Sequence, residues 1–172
     1  MPLHYGSQLE EHHAVRQDAG AFDVSHMRPV DLSGPDAQAY LQHLLANDVA
    51  KLRTPGKTLY SCMLNPEGGV VDDLICYWRG GDRYRLVVNA ATADKDIEWM
   101  QAQLGDFRLV IQRRDDLAMI AVQGPQARDK VLPLLPESLR EPVAALAPFV
   151  AAELNSADSS MDSSSNDWFV GR

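Results

Sequence analysis

Two adjacent aspartates, Asp72 and Asp73, stand inside the otherwise apolar stretch NPEGGVVDDLICY, residues 65–77. Strand interiors are depleted in Asp, and an unpaired buried carboxylate costs enough that it normally neutralises. Side chains alternate across a strand. One face of residues 70–78 therefore carries Val70, Asp72, Leu74, Cys76 and Trp78, and the other carries Val71, Asp73, Ile75 and Tyr77. Both faces are apolar apart from the carboxylates, so the strand is expected to be covered on both sides. Two chemistries are open. Each carboxylate accepts hydrogen bonds from backbone or arginine, or one of them faces a pocket and binds a polar or cationic group. A dyad sharing one proton is disfavoured, because the two side chains are expected to point apart. The residues alone do not choose between the two aspartates.

Other polar groups carry weaker signals. His12 and His13 in EEHHAVR lie about 100° apart on a helix, which makes them poor co-ligands for a metal. His26 in DVSHM reads better as a hydrogen-bonded structural histidine than as a ligand or base. GGDR and QGPQA contain glycines without a phosphate-loop pattern, and neither a nucleophile motif nor zinc spacing is present. Cys62 and Cys76 sit in apolar segments and read as buried reduced thiols, although the hairpin they share leaves a disulfide open.

The elements that position these groups follow from periodicity and punctuation. Residues 7–19 predict a helix, with Ser7 as N-cap and Gly20 as stop. AFDVSHMRPVDLSG reads as a strand region. A second helix has Ser33 or Gly34 as cap and Pro35 near its first position, with Ala37, Tyr40, Leu41, Leu44 and Leu45 on its apolar side and Asn47 at its end. KTLYSCML and VVDDLICYW flank the turn NPEGG as a hairpin, and RYRLVVN extends it to a three-stranded meander. TADKDIEWMQAQL is a third helix with Ile97, Met100 and Leu104 on one face. FRLVIQR and LAMIAVQG are strands, and GPQARDKVLPLL opens a further helix. Hairpins mixed with helices predict an α+β fold of antiparallel sheets with flanking helices.

At 172 residues the chain can bury one sizeable core. Its net charge of -8 and lack of any basic run argue against nucleic-acid binding. No long apolar span or signal segment appears, so neither a membrane span nor export is expected, and a cytoplasmic protein is the default. Residues 155–166, NSADSSMDSSSN, have almost nothing to bury and predict a flexible serine-rich loop. DWFVGR, 167–172, reads as the start of a strand with nothing after it to pair with, as in a truncated chain.

Five blocks in order carry a resemblance: MPLHYGSQLEEHHAVRQDAGAFDVSHM, LLANDVAKL, GKTLYSCMLNPEGGVVDDLICY, RLVVNAATADKDIEW and MIAVQGP. Together they closely resemble the aminomethyltransferase of the glycine cleavage system, the T-protein, from Met1 to about Phe149. The resemblance implies a folate-binding region over residues 1–154, incomplete at both ends. It implies tetrahydrofolate as substrate, no metal, and the lipoylated H-protein as partner. The reaction would move an aminomethyl group from the lipoyl arm to tetrahydrofolate, giving 5,10-methylenetetrahydrofolate and ammonia. An alternative is a folate-binding module of the tRNA-maintenance or demethylating-oxidase type, without glycine cleavage activity. A third is a gene fragment that has no function of its own.

Within that family's DDL motif the second aspartate lies against the pterin, so the resemblance implies Asp73 as the catalytic residue and a structural role for Asp72. The same comparison places Met27, Tyr60, Ile75, Tyr77 and Asn89 around the folate. Aspartate side chains, with a reference pKa of about 3.9, are ionised at neutral pH. An electrostatic and orienting role is therefore implied, more than strong base catalysis. Because residues after Arg172 that help close the site in the family are missing, the chain alone is expected to be inactive.

Overall fold

The computed structural model describes residues 4–154 and 168–172. In chain order the elements are α1 (Gln8–Gln17), β1 (Gly20–Asp23), β2 (Arg28–Ser33), α2 (Ala37–Leu44), β3 (Thr58–Leu64), β4 (Val70–Gly80), β5 (Arg83–Val88), α3 (Ala93–Ala102), β6 (Val110–Arg113), β7 (Ile120–Gln123), α4 (Ala127–Val131), α5 (Glu137–Ala144), β8 (Ala151–Leu154) and β9 (Trp168–Gly171). Short 3-10 turns at Val49–Lys51 and Leu132–Leu134 interrupt the connections. The class is α+β, as the mixture of hairpins and helices predicts.

The centre is a five-stranded sheet in the order β3-β4-β5-β2-β6, antiparallel throughout. One of its faces is covered by α2 and α3. Leu32, Leu59, Met63, Leu74, Cys76, Tyr84, Leu86 and Val88 meet Tyr40, Leu41, Leu44 and Met100 there in one buried core. The Tyr40 hydroxyl donates to the Met100 carbonyl at 2.6 Å and ties the two helices together. Ile97 and Leu104 pack against the same core, as the spacing of the third helix requires.

Two smaller ribbons flank this sheet: β1 pairs with β7, and β8 with β9. A second apolar cluster, Leu135, Leu139, Val143 and Leu146, joins α5 to the β8–β9 ribbon through Val150, Ala152, Leu154 and Val170. β9 thus finds its partner earlier in the chain, in β8. The expected serine-rich loop at 155–166 lies outside the described residues.

Several local expectations are corrected. Ser7 occupies the N-cap of α1, but its hydroxyl makes no cap hydrogen bond, and the helix ends at Gln17. Helix α2 begins after Asp36, not after Ser33 or Gly34, and stops at Leu44 before Asn47. The Asp36 carboxylate accepts instead from the backbone N–H and the guanidinium of Arg108, at 2.9 Å each. Strict alternation also fails at the start of β4. A bulge opposite Met63 and Leu64 shifts the register, so Val70 is 65% exposed while Val71 packs on the core.

Candidate functional site

The second face of the five-stranded sheet carries the sequence-predicted residues. The register sets them in rows across the strands. Cys62 of β3 lies opposite Asp73 of β4. Tyr60, Ile75, Val87 and Pro29 form the next row across β3, β4, β5 and β2, and Thr58, Tyr77, Arg85 and Asp31 the one after. Asp73, Ile75 and Tyr77 therefore do share one side of β4. Asn89 directly follows Val88, the partner of Arg28, and Met27 directly precedes Arg28, so both sit at the Asp73 end of the β2–β5 pair.

The expectation that this strand is covered on both sides is only half right. At one end Tyr60 is 56% exposed and Asp73 and Ile75 are half-buried, so the face is open there. At the other end the β8–β9 ribbon lies on it. Phe169 meets Tyr77 edge-on with ring centroids 5.0 Å apart, and the Arg85 guanidinium stacks over the same ring at 4.9 Å. Tyr77 is thus packed under β9, and its aromatic surface is largely used by Phe169.

Charge is concentrated beneath this ribbon. Asp31 accepts from Arg85 at 2.7 and 2.8 Å, from Arg79 at 3.0 Å and from Arg114 at 2.7 Å. Burial opposes ionisation of Asp31, but the arginines outweigh it and hold its carboxyl below the ordinary range. Arg79 reaches on to Glu153 of β8 at 2.7 Å. These contacts dock the ribbon on the sheet, and no ligand is needed to account for them.

The two aspartates lie on opposite sides of the strand, as alternation predicts, yet one amide reaches both. The Asn89 amide nitrogen lies 2.9 Å from Asp72 Oδ1, 2.9 Å from Asp73 Oδ1 and 3.0 Å from the Asp73 carbonyl. Asp72 also accepts the Asp73 backbone N–H at 2.8 Å and the Thr92 hydroxyl. Burial works against its charge, yet these donors bring its pKa down to about 2. Asp73 differs: among the described residues the Asn89 amide is the only partner of its side chain. An under-coordinated carboxylate on an open, partly apolar face can orient N–H donors or stabilise a cation.

One member of the cluster escaped the sequence reading. Asp96 of α3 is fully buried, and among the described residues neither of its carboxyl oxygens has a hydrogen-bond partner. Burial and the neighbouring Asp72 charge push its pKa up to about 6. Ala93, Asp96 and Met100 fall at helical spacing and are all buried, and that periodicity was the available signal.

The remaining candidates are not brought to this face. His12 and His13 are on the exposed surface of α1, with rings 5.8 Å apart, and His26 is exposed. Cys76 is in the core and Cys62 half-buried on the opposite face, both as free thiols. Among the described residues no group of three His, Cys, Asp or Glu is placed to hold a metal. No helix among them is long and apolar enough to cross a membrane.

Residues 1–154 match the family described as the GCVT N-terminal domain. The chain belongs to this family. Relatives agree. An aminomethyltransferase of Bordetella petrii is 61% identical over 158 residues, which is 90% of this chain and 42% of that protein. One from Pseudomonas syringae pv. tomato is 51% identical over 172 residues, covering 100% of this chain and 44% of its own length. The crystal structure of the glycine cleavage system aminomethyltransferase T from Bartonella henselae superposes with a TM-score of 0.78 at 33% identity. That comparison covers 88% of this chain and 40% of the Bartonella chain. This GCVT chain therefore spans well under half the length of the proteins it matches.

Proposed function

We propose that this chain supplies part of the folate site of a glycine cleavage aminomethyltransferase, acting in the cytoplasm with tetrahydrofolate as substrate and lipoylated H-protein as donor. The observation that supports this reading best is the setting of Asp73. Its carboxylate is half-buried, holds no ion pair among the described residues, and shares its strand face with Ile75 and the exposed Tyr60. A flat, donor-rich pterin fits such a surface, with apolar walls in Tyr60 and Ile75 and an acceptor at Asp73. Met27 and Asn89 would bound it at the same end, while Tyr77 contributes less, being covered by Phe169.

The chemistry asks two things of the carboxylate. Departure of ammonia from the aminomethyl thioether leaves a cationic carbon, and a fixed negative charge nearby stabilises it. The same group helps hold the folate N5 in line for attack on that carbon. Attack and ring closure onto N10 give 5,10-methylenetetrahydrofolate and return the dihydrolipoyl arm.

The test is aminomethyl transfer by a full-length relative carrying Asn at the position that matches Asp73. A loss of about 10²-fold is expected, the scale of one preorganised electrostatic contact. Near-normal turnover would refute the assignment. Folding is checked separately, on Asp73→Asn in this chain by circular dichroism.

A further inference from the structure

We propose that Asp72 is a positioning residue: backed by Thr92 and Asp96, it locks the Asn89 amide in a single orientation and, through it, fixes the Asp73 carboxylate. The proposal rests on the reading above that Asp73 faces the ligand.

Three acceptors surround the Asn89 amide nitrogen, two carboxylate oxygens and the Asp73 carbonyl. A flipped amide would set its own oxygen against all three. The side chain is therefore held one way round, with its nitrogen on the three acceptors. Asp72 is anchored in turn. Thr92 stands at the N-cap of α3 but makes no cap hydrogen bond, and its hydroxyl is used on Asp72.

Behind these groups Asp96 is fully buried, with no hydrogen bond to either carboxyl oxygen among the described residues. The groups facing it are Asp72 of β4, and Thr92 and Lys95 at the start of α3. Lys95 Nζ is 3.9 Å from Asp96 Oδ1, but it donates at 2.8 Å to the Val71 carbonyl. With a proton on Asp96, one negative charge remains behind Asn89, on Asp72, and it draws the amide. Ionising Asp96 sets a second charge beside Asp72, which changes the field on the amide that Asp72 holds. Asp72 and Asp96 thus act through Asn89 and need not touch the ligand.

The experiment is a pH titration of the isotope-labelled chain by NMR, without folate, following the Asp carboxyl carbons and the Asn89 side-chain amide. The Asn89 resonances are expected to move with a midpoint near pH 6, together with Asp96, and to lose that inflection in Asp96→Asn. Thr92→Val is expected to raise the midpoint of Asp72 and displace the Asn89 amide signal. An Asn89 amide that stays flat through this range in the wild-type chain would overturn the proposal, and that measurement needs no variant to fold. A second arm titrates tetrahydrofolate at pH 7. Asp72→Asn is expected to bind about tenfold more weakly than wild type, and equal binding would also overturn the proposal. If Asn89 follows Asp96 but this chain, under half the length of its relatives, binds no folate, the binding arm is run on a full-length relative carrying Asn at the position that matches Asp72, where equal binding overturns the proposal. Failure of the Asp73 transfer test alone would sink the ligand reading.

Discussion

Replacing Asp96 with Asn should make the protein more stable at neutral pH and leave it nearly unchanged in mild acid. The side chain is fully buried, and its carboxyl is raised from 3.8 to about 6 by burial and by Asp72. A raised carboxyl binds its proton more tightly in the folded chain than in the unfolded one. Its favourable contribution is therefore complete below about pH 3.8 and is lost as pH rises through about 6. At about 1.4 kcal/mol for each pH unit, the wild type carries a burden of about 3 kcal/mol at pH 7. The Asn side chain keeps the shape and cannot ionise, so it removes that burden. For a chain of this size about 3 kcal/mol corresponds to a Tm higher by roughly 6–12 °C. Asp72 does not blur the comparison. Its pKa is lowered to about 2, so its contribution is lost only as pH falls below 3.8. The assay is a set of thermal melts by far-ultraviolet circular dichroism between pH 4 and 8. A Tm difference that stays constant over this range, or shrinks as pH rises, would refute the reasoning.

Asp31→Asn should destabilise the fold by about 3–5 kcal/mol in urea melts, because it leaves Arg79, Arg85 and Arg114 clustered with one counter-charge fewer. A loss below about 1 kcal/mol would mean that the arginines are held elsewhere. N-ethylmaleimide should label one thiol of the native chain at pH 8, that of Cys62. Cys76 is fully buried and its pKa is pushed up to about 12. Cys62 lies opposite Asp73, so on the proposed folate reading its modification should weaken folate binding, as a fluorescence titration would show. Labelling of Cys76 at a comparable rate would contradict the core placement.

Much of this architecture is legible from local signals. The NPEGG turn, with Gly68 at a φ of 81°, fixes the β3–β4 hairpin, and the alternation of LYSCM matches the burial of β3. Helices α2 and α3 follow from spacing alone. Helix α5 does not, because Pro142 lies inside it, and its core residues Leu139 and Val143 form too short a stripe to stand out. Strand β8 is four residues long and acquires its meaning only from β9. For the site, alternation put Asp73, Ile75 and Tyr77 together correctly. It could not foresee that Asn89, from another strand end, would bridge both carboxylates, since such a contact depends on register. Nor could it foresee Phe169 on Tyr77, a contact across 92 positions of sequence. Asp96 reads in TADKDIEW as one more solvated acid among charged neighbours, and only its phase on the helix betrays it.

Phe169 and the Asp31 arginines also give the binding surface a direction. Tyr77 and Asp73 are four residues apart on one strand, about 13 Å, with a stopper at the first and an opening at the second. Among the described residues the face is open at the Asp73 end, and a slab-shaped guest lying on it would halt against the aromatic pair. An elongated molecule would then leave its tail beyond the sheet's rim.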